Sequence, residues 1–330
     1  MGDLVQGLGA VEALSQARPD WRLTFVTQNS FTPLLAGFAG LARVVPFVRR
    51  GGWQGVRSLW RELRLDHYDF ALDLQGNWKS AAVAWLSGAN QRLGMAAPFR
   101  QEPWSRVLLR RTIAPSGSPH PARTAWDLVR SLAPDAPFLP PRLSATVSEI
   151  AREQAALEVL GVDWRRPVRV VVVTDPRDPR ALRPDVVELE TRQSTLPVLH
   201  LMGPAEVGLT AAVGVPTLRH GRAEPRRLIA LGHLVARTGG EVVGPDQGAI
   251  HVVAAAGANC HVLFGAEDPR RTAPPTGTAL VHPEPPACSP CRARHCRHPS
   301  GPVCMDFGVA VGRVVVTDLP RFGEPGGRPA

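Results

Sequence analysis

The residues of this chain best suited to chemistry lie in one short turn, Gly244-Pro245-Asp246-Gln247-Gly248, set within EVVGPDQGAIHVVAAAGANCHVLFGAEDP at positions 241–269. Glu241–Val243 reads as the end of a buried strand. Ala249–Ala256 is small and apolar, suited to a helix packed closely on a sheet, and His261–Phe264 reads as the next buried strand. The turn places Gln247 and Gly248 where a helix begins. Backbone N–H groups there have no intrahelical partner and stand at the positive end of the helix dipole, so they favour a phosphate. A nucleotide-type ligand is the chemical reading. The bland alternative is an ordinary strand–helix connection in which Asp246 caps the helix. His251, one turn into that helix, is open to the same two readings, ligand contact or satisfied core histidine.

Two other features carry candidate chemistry. Lys79 is the only lysine, all other long basic side chains being arginine. A compact ammonium on a flexible stem differs from a guanidinium fork, so its retention at one position suits a contact with an anionic group; a surface helix lysine is the alternative. The second feature is Cys288-x2-Cys291-x4-Cys296-x7-Cys304 with His295 and His298. The ligand types and the first pair suit a structural zinc, but the usual two-knuckle spacing is absent. Disulfides and reduced buried thiols stay open beside it. Cys260 stands alone at a strand start and reads as a core thiol. No G-x-G-x-x-G follows a strand-like run, which argues against a dinucleotide oxidoreductase.

The chain has 330 residues, an apolar fraction of 44% and a formal net charge of +9. That length suits two domains with sizeable cores. The charge favours an anionic partner such as a phosphorylated substrate or anionic lipid. The arginines are spread along the chain and read as not interleaved with aromatics, so nucleic acid is not expected as a partner. No uninterrupted apolar run of about 18 residues appears, and no basic-then-apolar leader, so the expected location is cytoplasmic.

The elements that must position these groups alternate. Helical patterns at Leu4–Gln16, Phe31–Phe38, Trp53–Leu63, Trp78–Leu86 and Arg123–Leu132 are interleaved with strand-like runs at Trp21–Thr27, Ala42–Val48, Phe70–Leu74 and Arg92–Met95. Residues 96–121 read mostly as loop, and Pro134–Arg142 as a linker. Beyond it come a helix at Ser148–Leu160, a continuous strand at Val168–Val173, a strand at Pro197–Met202 and a helix at Glu224–Ala236. The tail after about 275 reads as irregular as far as Phe307–Val315, and the last ten residues or so as disordered. The pattern predicts an α/β protein of two doubly wound, Rossmann-like domains, 1–150 and 151–330, facing a cleft at the carboxyl ends of their strands.

Four segments, in order along nearly the whole chain, resemble glycosyltransferase family 9, the ADP-heptose:lipopolysaccharide heptosyltransferases. They are Gly2-Asp3-Leu4-Val5-Gln6; YDFALDLQGNWKSAAVAWLSGANQRLG at 68–94, matching through Asp73, Leu74, Gln75, Gly76, Lys79 and Ser80; LMGPAE at 201–206; and GPDQGAIHVVAAAGA with FGAEDP. The resemblance implies a GT-B fold with an N-terminal acceptor domain and a C-terminal nucleotide-sugar domain. It implies an inverting transfer of a heptose-like sugar from a nucleotide diphosphate donor to a lipid-linked or envelope saccharide, with no metal needed for the transfer. On it, Asp3 is the candidate base. Asp246 contacts the sugar, and Gln247, Gly248 and His251 belong to the donor site. Glu206 is the candidate for the ribose hydroxyls, with a solvated helix-start residue as its alternative. Lys79 and Gln75 fall on the acceptor side, although Gln75 also reads as a shaper of its turn. Peripheral contact with the inner, anionic membrane face follows from the acceptor and the basic charge.

Three departures qualify this. Family members have an apolar strand before the Gly-Asp turn, whereas the sequence begins Met1-Gly2-Asp3, so a truncated N-terminal sheet without its central strand is expected. The family's diphosphate-binding lysine has no counterpart in VTDPRDPRALRPD at 173–185, where Ala181 roughly aligns with it. Arg180 or Arg183 is expected to substitute, against the opposing charges of Asp175 and Asp178. Gln247 stands where the family has Thr. These departures favour, as rivals to the transferase, a catalytically inactive relative acting in binding or assembly and, less directly, a sugar epimerase of the same architecture.

Overall fold

The structure, a computed structural model, describes residues 1–316 apart from 49, 207, 210–211, 222–223 and 309–312. The disordered end expected over the last ten residues lies outside the described residues. The described chain forms two compact units, one of residues Gln6–Pro141 and one of Met1–Val5 with the described residues from Arg142 to 316. The division falls at the end of the proline-rich segment.

In the smaller unit, helix α1 (Gly2–Ala17) is followed by strands β1 (Leu23–Gln28) and β2 (Leu41–Phe47), helix α2 (Gly52–Leu63), strand β3 (Phe70–Asp73), helix α3 (Trp78–Leu86), strands β4 (Gln91–Met95) and β5 (Arg111–Ile113), and helix α4 (Pro121–Arg130). The helix expected at Phe31–Phe38 is a 3-10 segment over Asn29–Leu35. Pro33 lies inside it and cannot donate to an α-helical ladder. The loop expected over 96–121 contains two 3-10 turns, Ala97–Phe99 and Pro103–Leu108, and the edge strand β5. All strand pairs are parallel, but they fall into two sheets, β1-β2 and β3-β4-β5. No described strand pairs with the second edge of β1 or of β3. The described strands of this unit thus form two separate sheets. Trp21, just before β1, stacks on Phe70 at the start of β3, with ring centroids 5.2 Å apart. Ala10, Ala13 and Leu14 of α1 join Ala125, Trp126 and Val129 of α4 in a core against Leu23, Leu72 and Leu74.

The block at 68–94 folds around a fully buried ion pair. Asp73 ends β3; its Oδ1 accepts from the backbone N–H of Gln75 (3.2 Å) and Gly76 (2.9 Å), and its Oδ2 accepts from Arg100 Nη2 at 2.5 Å. Arg100 Nε donates to Ser105 Oγ at 2.8 Å. Both side chains of the pair have no solvent exposure. Asn77 and Ser80 then form a reciprocal cap that starts α3.

The larger unit contains α5 (Val147–Val159), β6 (Arg169–Val173), α6 (Pro184–Arg192), β7 (Val198–Met202), β8 (Thr217–Arg219), α7 (Pro225–Thr238), β9 (Glu241–Pro245), α8 (Gly248–Ala255), β10 (Asn259–Phe264), α9 (Pro269–Thr272), β11 (Thr278–Val281) and β12 (Val314–Val315). Four of these, α6, β8, α9 and β11, fall where no element is expected from sequence. The two strands are too short to show alternation, and α6 follows a run of prolines. Strand order is β12-β11-β10-β9-β6-β7-β8, parallel except for β12. From β8 to β11 this is the doubly wound order that reverses between its first and fourth strands, here β6 and β9. Buried Val170, Val171 and Val172 of β6, Val242 and Val243 of β9, and Val262 and Leu263 of β10 form its centre, each worth roughly 1.5–3 kcal/mol relative to exposure. Strands buried on both faces read as continuous apolar runs, which is why these three were legible.

Helices α5 and α7 are clamped by charge. Thr146 and Glu149 form a capping box at the start of α5, and Glu149 also accepts from Arg226 of α7, with Oε2 2.6 Å from Nη2. Arg227 Nε donates to Glu153 at 2.8 Å. The Arg226 guanidinium holds the Glu149 carboxyl down from an ordinary 4.5 to about 2. A depressed carboxylate stabilises the folded state fully above its unfolded value, and the contribution is lost as pH falls through the folded one. Glu149→Gln should therefore reduce stability at pH 7 by about 1–3 kcal/mol, and should flatten the loss of stability between pH 4.5 and about 2, read by urea denaturation across that range. Arg100→Met, which strands the Asp73 charge, should cost about 3–5 kcal/mol in the same measurement.

Candidate active site

The strand order reverses between β6 and β9, and the carboxyl ends of strands at such a reversal are where open α/β sheets bind ligands. Three chain segments of the larger unit meet there: the loop after β6, the turn after β9, and the first residues of the chain.

The turn after β9 carries the predicted phosphate seat. Asp246 is buried and pairs with His251, Oδ1 to Nε2 at 3.0 Å. It therefore does not cap α8. Gln247, at the cap position, gives the helix no side-chain acceptor either. Its amide instead donates to Asp178 Oδ2 at 3.0 Å. The amides that open α8 are left without a side-chain cap, as an anion seat needs. His251 is both a core histidine and part of the site, because it fixes Asp246.

Gly2 lies against the same histidine. A methyl group on its Cα would stand 2.9 Å from His251 Cδ2, so only glycine fits this approach. Met1 packs over Gly248 in the same way. Asp3 is thereby carried to the turn from the far end of the sequence, and its side chain is exposed.

The loop after β6 supplies the cation. Arg180 is half-buried and makes a forked contact with Asp178, Nε to Oδ1 at 3.0 Å and Nη2 to Oδ2 at 2.8 Å. This contact raises the Arg180 pKa, with Asp246 and Glu267 adding to it, so the guanidinium sits in a field set by three carboxylates. Burial and the Asp246 charge push the Glu267 carboxyl upward. Of the two arginines expected to replace the lysine, the structure brings Arg180 to the turn. Arg183 is turned to Asp185, with Nε to Oδ1 at 3.2 Å, and to Asp306 at 3.6 Å. Asp175 pairs with exposed Arg177.

Glu206 is buried after β7, rather than being a solvated helix-start residue, and its Oε1 accepts from the Asp175 N–H at 3.4 Å. His220, at the end of β8, is buried beside it. Both crowd Gly203: a methyl there would lie 2.8 Å from Glu206 Oε2 and 3.3 Å from His220 Nε2. Burial lowers the His220 pKa, so the ring is neutral near pH 7. Among the described residues, His220 Nδ1 and Thr174 Oγ1 are buried without a hydrogen-bond partner. Unsatisfied buried polar atoms at the carboxyl ends of two parallel strands, β6 and β8, suit a polar ligand. Sequence reasoning missed Thr174 and His220. A histidine after a three-residue strand carries no local signal of burial.

On the smaller unit, Gln75 and Lys79 are both exposed, in the turn after β3 and at the second position of α3. A cation is disfavoured at a helix N-terminus, and among the described residues Lys79 has no ion pair, which suits it to an anionic group brought by a ligand. All five cysteines are free thiols, with Cys260 and Cys304 buried and Cys288, Cys291 and Cys296 exposed. Burial pushes the Cys260 thiol up to about 12, as expected of a core residue. Burial first, and then the neighbouring thiols of Cys291, Cys296 and Cys288, push Cys304 up to about 11. Among the described residues, no three His, Cys, Asp or Glu side chains are grouped to hold a metal ion. No described helix is long and apolar enough to cross a membrane.

Residues 56–174 match the family described as glycosyltransferase family 9 (heptosyltransferase). The chain is 21% identical, over 83% of its own length and 79% of the relative's, to the lipopolysaccharide core heptosyltransferase OpsX of Haemophilus influenzae. Its fold is similar to that of a family 9 glycosyl transferase from Veillonella parvula, with a TM-score of 0.71 at 14% identity, covering 84% of this chain and 81% of that one. It is also similar to the E. coli heptosyltransferase WaaC with ADP, with a TM-score of 0.65 at 20% identity, covering 84% of this chain and 89% of that one. Over residues 56–174 the chain is thus similar in sequence to glycosyltransferase family 9, and its fold is similar to that of solved members of that family.

Proposed function

We propose that this protein is an inverting glycosyltransferase of the GT-B type, moving a heptose-like sugar from a nucleotide diphosphate donor, ADP-linked as in the WaaC complex, to a cell-envelope saccharide. The observation that carries the reading is the packing of Gly2 on His251. It joins an exposed carboxylate, Asp3, to a turn whose amides and neighbouring arginine suit a diphosphate.

In this reading Asp3 accepts the proton of the acceptor hydroxyl as its oxygen attacks the anomeric carbon from the face opposite the diphosphate. The bond to the diphosphate oxygen breaks, and the departing charge rests on the α8 amides and Arg180. Asp246, oriented by His251, accepts hydrogen bonds from sugar hydroxyls. Glu206 takes the ribose hydroxyls, with Thr174 and His220 supplying further polar contacts to the nucleoside. Lys79 and Gln75 serve the acceptor.

One feature favours the rival reading of an inactive binding or assembly protein. Asp178 occupies both the Arg180 fork and the Gln247 amide, the groups a diphosphate would need. Donor binding then requires displacing a carboxylate. Asp178→Asn should strengthen ADP binding by about fivefold to tenfold, and Arg180→Met should weaken it by about tenfold or more, measured by calorimetry. Absence of ADP binding by both the parent and Asp178→Asn would favour the rival. Asp3→Asn should lower release of ADP from an ADP-heptose donor in the presence of acceptor by about 10²–10⁴-fold while leaving the ADP dissociation constant unchanged.

A further inference from the structure

The smaller unit exposes tryptophan to an unusual degree. Trp53, Trp60, Trp78, Trp85 and Trp104 are 79%, 44%, 50%, 54% and 83% exposed, and all lie between the start of α2 and the second 3-10 turn. Tryptophan is large and normally well buried, so scattered exposure does not account for five in one stretch.

Their spacing is regular. WQGVRSLW at 53–60 in α2 and WKSAAVAW at 78–85 in α3 each set two tryptophans seven residues apart. Seven residues are two helical turns, so each pair lies in line on its helix. On α2, Arg57 and Arg64 fall on the same line, four residues after each tryptophan, and both are exposed. The arginines here are interleaved with aromatics, contrary to the reading from sequence, because the interleaving appears only at helical period. The acidic residue of α2, Glu62, projects elsewhere and is paired with Arg43 at 2.5 Å.

The two stripes belong to one surface. Leu59 and Leu63 of α2 share a core cluster with Val83 and Leu86 of α3, against Val45 and Phe47 of β2. The helices therefore cover the same core side by side. The Arg64 guanidinium reaches Gly88, just past the end of α3, where a cation suits the helix dipole. The start of α3 is tied to the second 3-10 turn through the Trp78 N–H, which donates to Glu102 Oε2 at 2.6 Å.

We infer that Trp53, Arg57, Trp60, Arg64, Trp78 and Trp85 form a docking surface for the interface of an anionic lipid bilayer. Indole rings are amphipathic and settle at headgroup depth, and arginine stems lie along the apolar boundary while their charges meet lipid phosphates. A protein partner would call for shape and matched acids; a row of indoles alternating with guanidinium groups, with its one helix acid neutralised internally, fits a laterally fluid anionic sheet. The inference goes beyond the transferase reading and does not depend on it, since binding is read without donor or acceptor.

The test is co-sedimentation of the full chain with vesicles of phosphatidylcholine alone or mixed with phosphatidylglycerol. Binding should require phosphatidylglycerol, weaken with added salt and shift tryptophan emission to the blue. The Trp53→Ser/Trp60→Ser variant should bind at least about tenfold more weakly, with an unchanged melting temperature. If that variant fails to fold, Arg57→Ser/Arg64→Ser provides the check and should lose most of the salt-sensitive part of binding. No vesicle binding by the parent chain, or binding unaffected by either pair, would overturn the inference. So would a solution dimer that the tryptophan substitutions dissolve while vesicles are not bound.

Discussion

The hydrogen bond between Asp246 and His251 is the constraint on which the site depends. A carboxylate buried beside uncapped helix amides must find a partner or raise its cost sharply. Five residues on, in the first turns of α8, His251 supplies that partner. The bond keeps Asp246 from closing the helix end as a cap, so the amides stay open. It also fixes the face of the imidazole on which Gly2 packs. One interaction thus sets the uncapped start of α8 and the surface on which Gly2 packs.

A second constraint is the strand order. The sheet of the larger unit reverses between β6 and β9, and the loops after these strands carry the site. Arg180 comes from one loop and Gln247 from the other, and Asp178 bridges them. The bridge holds the two loops together, since one carboxylate satisfies both the Arg180 fork and the Gln247 amide. In the proposed reading, the same bridge sets the order of the turn against affinity for a donor diphosphate.

The smaller unit meets a different problem. Its parallel strands lie in two sheets, so the usual continuous hydrogen-bond ladder does not hold it. The buried Asp73–Arg100 pair, the ring stack of Trp21 on Phe70 and the α1–α4 core take over part of that role. The aspartate of the DLQG block thereby serves structure: it organises the turn that presents Gln75 and starts the helix that presents Lys79. Both of those side chains are left to solvent.

Sequence alone determined the elements with strong periodicity or continuous apolar runs: α2, α3 and α7, β6, β9 and β10, the phosphate-friendly turn, and the family resemblance carried by its ordered blocks. Local propensity and burial act together there, so the signal is in neighbouring residues. Only tertiary structure decided the rest. β8 and β11 are too short to show alternation and become strands because neighbouring strands pair with them. Arg180 and Arg183 stand three residues apart with the same chemistry, and only the positions of Asp178 and Asp306 separate a site residue from a surface ion pair. Thr174 and His220 reached the site unannounced, since burial at a strand end is a property of the sheet. Gly2 beside His251, and tryptophans aligned with arginines on neighbouring helices, depend on three-dimensional proximity that residue order does not encode locally.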